Sequence, residues 1–277
     1  MPAVVQLSVR RSVRVSAHFQ RVTVGGPALD RMPNAGLDQW FRMFFRLLGQ
    51  DRLRLPECLA SSRTDTAGTV EATGWYQQWL AMPEEQRPGC RNYTVRAFRP
   101  DDRELDIDFV LHPGPSGRID SPDAGWAVRA EPDEPVVLLD QGTTFAPSAG
   151  SRGVLLAGEE SALPALEGIL AGLDPTTRGR AVLEVPERDD IRPLTHPTGV
   201  TLDWVVRTAR SPGSVPGRAA LEHVRDGPPV DRLAYVFVAG ESGLATGLRR
   251  HLVRAGHDPA LIRFAGYWKS ERTTRAA

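Results

Sequence analysis

"CRNYTVRAF", residues 90–98, is the stretch on which the reading of the first half of the chain turns. It alternates as a β-strand does, and successive strand side chains point to opposite faces. Arg91, Tyr93 and Val95 would share one face, and Asn92, Thr94 and Arg96 the other. Neither face reads as clean core or clean solvent. A strand of this kind is expected to carry something other than protein.

The segments around it fit the same architecture. "VVQLSVRRSVRVS" and "HFQRVTVGG" alternate and end in turn residues, and "DQWFRMFFRLL" (38–48) carries aromatics that favour strand over helix. "LDIDFVLHPG" alternates again, and "PVVLLD" is the sixth strand-like segment. This succession predicts an antiparallel β-barrel. Residues of about 49–89 interrupt it as an insertion rich in proline, glycine and polar residues. Inside that insertion, "GWYQQWLAMPEEQRP" reads as a short helix stopped by proline. The arginines of "VRRSVR" (9–14) read as outward strand residues in water.

Near residue 150 the pattern changes to strands alternating with helices, which predicts an open parallel α/β sheet. The expected domains are 1–148 and 149–277, joined by the small-residue stretch "APSAGSRG" (146–153). Two strand ends in the second domain carry the same text, "LLAGEE" (155–160) and "FVAGE" (237–241). Ligands of open α/β sheets bind beyond the carboxyl ends of the strands. Glycine there lets a ligand approach the backbone, and a helix start offers free N–H groups to phosphate. Gly158, Glu159, Glu160, Gly240 and Glu241 are therefore candidate ligand contacts. No G-x-G-x-x-G motif is present, so the dinucleotide fingerprint is lacking.

Composition narrows the classes further. Lys plus Arg and Asp plus Glu both number 34, so no net field draws the chain to nucleic acid or a membrane surface. No apolar run approaches the ~20 residues of a membrane helix, and the N-terminus lacks a secretory pattern. Cys58 and Cys90 fit no metal-ligand spacing, so a reduced cytoplasmic chain is expected.

Taken in order, these segments resemble the ferredoxin-reductase superfamily and, within it, the siderophore-interacting proteins, which are flavin-dependent ferric-siderophore reductases. "SAHFQRVTVGGPAL" (16–29) resembles the opening strand pair and "DQWFRMFF" (38–45) the third barrel segment. "RNYTVRAF" carries R-x-Y-T, and "DIDFVLH" (106–112) resembles the D-x-x-x-H strand. "LLAGEESALPAL", "YVFVAGESG" and "GYWK" (266–269) resemble landmarks of the second domain.

The resemblance implies a non-covalently bound FAD. Arg91 would pair with its diphosphate, Tyr93 would lie against the isoalloxazine ring, and the Thr94 hydroxyl would bond the ring's edge. Asp108, Val110 and His112, with Ala124, Trp126 and Ala127, are the further flavin residues it implies. NADPH or NADH would dock at the two Gly-Glu tips as hydride donor. A ferric siderophore would be the substrate, met by Arg96, Tyr267, Trp268 and Lys269. No protein acid, base or metal ligand is required, because the flavin carries the chemistry. A monomer is expected, without nucleic-acid or membrane partners.

Several residues depart from the family pattern. Ala124 stands where many relatives have a helix-starting serine, with Asp123 before it. "LLDQGTTF" (138–145), with Asp140, Gln141 and Gly142, replaces a more usual Gly-Pro-x-Gly turn, and Glu271 stands where glycine is common. A carboxylate near a diphosphate is unfavourable unless paired or turned away. These departures leave open a flavin-fold biosynthetic enzyme with other chemistry, or a binder that carries a ferric chelate without turnover.

Overall fold

A computed structural model describes residues 3–60, 74–112, 114, 117–119, 121–148 and 150–270. Glu271 and the whole of the polar run "SSRTDTAGT" (61–69) lie outside the described residues. The chain divides into two compact units, Met1–Thr143 and Thr144–Ala277.

The first unit is a seven-stranded antiparallel sheet. Its strands are β1 (Val4–Ser16), β2 (Phe19–Gly25), β3 (Trp40–Phe45), β4 (Gly89–Thr94), β5 (Ala97–Arg99), β6 (Glu104–Val110) and β7 (Pro135–Asp140). Their order is β4-β3-β7-β1-β2-β6-β5. The two edge strands, β4 and β5, are consecutive in the chain, separated only by Val95 and Arg96. Two residues cannot span a flat seven-stranded sheet, because neighbouring strands lie ~4.8 Å apart. The sheet therefore curls until its ends meet.

This closure corrects the single strand expected over "RNYTVRAFRP". The Val95 N–H donates to Gln39 O, and the next N–H, of Arg96, donates to Asp106 O. At that corner the chain leaves the β3 side and joins β6, so one apparent strand becomes two.

Inside the curl, Val5, Leu7, Val22, Val24, Phe41, Met43, Phe45, Leu105, Ile107, Phe109 and Leu138 form the core. Among the described residues this unit has three α-helices: α1 (Glu57–Ala60), α2 (Trp75–Ala81) and α3 (Pro122–Arg129). In α3, Trp126 and Ala127 join the core. Leu59 and Trp75 of the insertion instead pack outside the sheet on Phe44 and Leu139. Helix α2 ends at Ala81, before Pro83.

The alternation of β6 is cleaner in sequence than in solvent. Its outward Asp106 and Asp108 are buried and answered across the sheet. Arg21 grips Asp108 through two bonds of 2.7 and 2.9 Å, and Arg99 grips Asp106 through two of 2.7 Å. Planar guanidinium–carboxylate forks of this kind hold strand register as well as charge.

The second unit is a five-stranded parallel sheet of β8 (Val154–Gly158), β9 (Gly179–Val185), β10 (Val200–Val206), β11 (Tyr235–Glu241) and β12 (Ile262–Trp268). Its order is β10-β9-β8-β11-β12. The helices are α4 (Leu163–Gly172), α5 (Arg207–Arg210), α6 (Arg218–Asp226) and α7 (Ser242–Arg254). Right-handed crossovers put α4 on one face and α6 and α7 on the other. Alternate residues Leu155, Ala157, Val182, Val236 and Val238 of the central strands pack with Ala219, Ala220, Val224, Leu244 and Leu248 from α6 and α7. Strands covered on both faces read as continuous apolar runs, as "VLLAG" and "YVFVAG" do.

Candidate functional site

In the first unit the candidate site is built on β4, an edge strand paired on one side by β3. Arg91 and Tyr93 pair with Met43 and Phe41, whose side chains belong to the core, so both sit on the inner face of the curl. The Tyr93 ring centroid lies 4.3 Å from that of Phe109. Its hydroxyl donates to Asp123 Oδ2 over 2.8 Å. The Arg91 guanidinium is half exposed, with Nε 4.0 Å from the same carboxylate oxygen. Burial, and then the Asp123 carboxylate, push the Tyr93 phenol well above the usual tyrosine range. Thr94 closes β4 on the opposite face, buried, across from Trp40.

The remaining residues expected around a flavin are placed unequally. Ala124 lies buried in the first turn of α3, directly after Asp123. Trp126 packs on Phe45 and Phe109, and its indole N–H donates to Glu134 Oε1 over 3.0 Å, so its partners are core residues. Ala127 is buried, and its carbonyl accepts from Ser12 Oγ at 2.7 Å. The Asp108 carboxylate is held by Arg21, with Arg96 Nε 3.7 Å away. Val110 pairs with Phe19 at the end of β6, and His112 is exposed two residues beyond. Asp140 accepts from Gln39 Nε2 at 2.9 Å and from the Gly142 N–H at 3.3 Å, which folds the Asp140-Gln141-Gly142 turn back on β3. Gly142 there has φ +71°.

In the second unit, the strand order runs outward from β8 in both directions. The switch point where such sheets bind ligands therefore falls between β8 and β11. The two Gly-Glu tips end these strands side by side, with Gly158 opposite Ala239. The carboxylates, however, turn inward. Glu159 is 1 % exposed, accepts from the Ser161 hydroxyl and amide, and accepts from Trp268 Nε1 at 3.0 Å. Burial, with the neighbouring Glu160, pushes its carboxyl up to about 8. Glu160 receives both terminal nitrogens of Arg207 at 2.7 Å, and Arg207 also donates to Glu184 at 2.9 Å. Glu241 caps α7 through the Gly243 N–H and accepts from the Ser270 N–H at 3.1 Å. The two glycines are packed as closely: a Cβ on Gly158 would fall 2.8 Å from Ala162 Cβ, and one on Gly240 2.6 Å from Glu159 Oε1. Beyond them Tyr267 and Lys269 are exposed.

Two arrangements had no signal in the sequence. The Arg207 bridge joins residues 47 and 23 positions apart. Glu184 also accepts the N–H groups of Gly217 and Ala220, each at 2.8 Å, as an internal anion at the start of α6. Asp123 was conspicuous by position, but its pairing to Tyr93 across 30 residues was not readable.

Comparison with known proteins follows this geometry. The description "Siderophore-interacting FAD-binding domain" matches residues 8–144, and "Siderophore-interacting protein" matches residues 151–271. An uncharacterised Mycobacterium tuberculosis protein is 32% identical over 269 residues, covering 94% of this chain and 88% of its own length. The chain belongs to the siderophore-interacting protein family. The NADPH-dependent ferric-chelate reductase of Escherichia coli is 28% identical over 96% of this chain and 93% of its own. The crystal structure of the siderophore-interacting protein SipS from Aeromonas hydrophila superposes with a TM-score of 0.74 at 26% identity, covering 99% and 95% of the two chains. The fold of this siderophore-interacting protein is thus the ferredoxin-reductase type, with one antiparallel curled sheet and one parallel sheet.

As a siderophore-interacting protein it carries an FAD-binding domain, and the first unit's donors fit that cofactor. A half-exposed guanidinium suits a diphosphate and a phenol ring on an edge strand suits a flat ring system, whereas the Thr94 hydroxyl lies buried on the opposite face. Asp123 is the one group of opposite character among them.

Proposed function

We propose that this chain is an NAD(P)H-driven, FAD-dependent reductase of ferric siderophores that releases iron as Fe(II). The observation that carries the reading is Arg91 and Tyr93 presented together on an edge strand of a unit matching an FAD-binding domain. In this reading the first unit holds the flavin, the second holds the nicotinamide nucleotide, and the chain works as a cytosolic monomer.

When bound, the flavin accepts hydride and can release electrons singly, which is what iron requires. The protein's part is binding and orientation. Arg91 would hold the diphosphate and Tyr93 would present its ring to the isoalloxazine. In the second unit the dinucleotide would dock beyond the carboxyl ends of β8 and β11, where Gly158 and Gly240 close the strands. With its carboxyl pushed up to about 8, Glu159 itself would add no negative charge beside a phosphate at neutral pH. Lys269 and Tyr267 offer cationic and aromatic surface to an anionic chelate. Fe(II) binds hard oxygen donors less tightly than Fe(III), so reduction itself loosens the iron.

The test is anaerobic spectroscopy of the purified flavoprotein. NADH or NADPH should bleach the flavin band at ~450 nm, a property of the cofactor. A ferric siderophore should then restore it, with ferrozine colouring in proportion. Flavin that neither nucleotide bleaches would end the reductase reading. Bleaching that no ferric chelate reverses would favour the redirected chemistry that Asp123 brings to mind.

A further inference from the structure

Asp123 concentrates three roles in one carboxylate. It accepts the Tyr93 hydroxyl at 2.8 Å, faces Arg91 Nε at 4.0 Å, and lies in the first turn of α3. That helix has Ser121 at its N-cap, and the Ser121 side chain makes no capping bond. A phenol donor, a guanidinium and the positive end of a helix dipole thus converge on one anion. Anions favour such a combination of donors, and a phosphate would favour the same one.

We propose that Asp123 is an internal stand-in for the flavin's phosphate charge, competing with the cofactor for Arg91 and Tyr93 and so setting how tightly FAD is held. The inference rests on the reading of β4 as the flavin strand and adds the residue that limits it. The carboxylate accepts from Tyr93, faces Arg91 at 4.0 Å and so ties α3 to β4. When FAD binds, the diphosphate takes Arg91, the Tyr93 hydroxyl is released, and Asp123 becomes a like charge beside the phosphates. The stand-in therefore steadies the empty protein at the expense of the loaded one. A purely structural aspartate would steady both.

The two roles separate in binding measurements on the full-length protein. Asp123→Asn keeps the side chain's size and removes its charge. FAD should bind the variant on the order of tenfold more tightly than wild type, the ratio that about 1.4 kcal/mol gives. Riboflavin, which lacks phosphate, should gain much less. The flavin-free variant should unfold at a lower temperature, and its Tyr93 phenol should titrate at lower pH by ultraviolet absorbance. Unchanged or weaker FAD binding in Asp123→Asn, or equal gains for FAD and riboflavin, would overturn the proposal. Arg91→Ala distinguishes this from failure of the underlying reading. If Arg91→Ala binds FAD as wild type does, the flavin strand itself is misassigned. If it binds FAD poorly while Asp123→Asn does not bind it more tightly, only the competition is wrong.

Discussion

Glu159 and Gly240 are interlocked at the tips of neighbouring parallel strands: a Cβ added to Gly240 would lie 2.6 Å from Glu159 Oε1. Gly240 also has φ +124°, a backbone that side chains resist. The tip is therefore held by shape as much as by charge. Gly240→Ala should be destabilised by roughly 1–3 kcal/mol, the range for a residue forced into a sparse backbone region. Flavin bound in the first unit should remain, while its reduction by NAD(P)H slows. Adding Glu159→Ala should recover part of the loss by opening the contact, a coupling that a double-mutant cycle reads directly. Stopped-flow reduction at the wild-type rate in Gly240→Ala would remove this tip from the docking site.

The same glutamate gives a pH signature. Its folded carboxyl titrates at about 8 against an ordinary 4.5. Between those values the folded chain keeps a proton that the unfolded chain has released. Stability from this group is full below the lower value and falls as pH rises through the window, by at most about 1.4 kcal/mol per pH unit. Glu159→Gln cannot titrate, so its stability relative to wild type should climb from pH 5 to pH 8 and then level. Urea midpoints that run parallel for the two proteins would contradict this.

Arg207 stands between two buried carboxylates, Glu160 and Glu184. Removing one partner of a buried charge set strands the others, typically at ~3–5 kcal/mol. Arg207→Met should lower the stability of the second unit on that scale. Converting Glu160 and Glu184 to Gln in the same chain should restore part of it. A single-variant loss within about 0.5 kcal/mol, the usual surface effect, would mean that the bridge is dispensable.

Exposed Lys269 follows the last strand. Lys269→Glu should slow flavin reoxidation by anionic ferric chelates more than flavin reduction by nucleotide. The difference should shrink as salt rises, since exposed charges are screened within ~8 Å at physiological ionic strength. An equal effect on uncharged chelates would assign Lys269 to something other than charge steering.

Much of this architecture was legible because hydrophobic period carries it. "LDIDFV" puts Leu105, Ile107 and Phe109 on one face, and β6 buries that face; "VLLAG" and "YVFVAG" read as buried parallel strands and are. The corner at Val95–Arg96 was not legible, because alternation continues through it and only the change of hydrogen-bonding partner, from Gln39 to Asp106, marks the break. At the candidate site, the sequence singled out Arg91, Tyr93 and Asp123 separately, yet the bond joining the last two depends on how α3 returns to β4. The tip glutamates were read as ligand contacts from the residue types that favour helix starts. Whether such a carboxylate faces out or caps inward is decided by side-chain torsions and by distant groups such as Trp268 and Arg207, which spacing does not encode.

The excursion that leaves β3 at Phe45 returns to β4 at Gly89, and these two residues are paired Cα to Cα. To the sheet, everything between them is one hairpin loop. A Cβ on Gly89 would fall 2.5 Å from the Phe45 ring, so the junction is keyed at its base. Closing a loop twice as long costs only about 0.6 kcal/mol more. Residues can therefore be added to the segment over evolution, or by grafting, while the alignment of Arg91 and Tyr93 stays set from below, provided Leu59 and Trp75 go on covering Phe44 and Leu139.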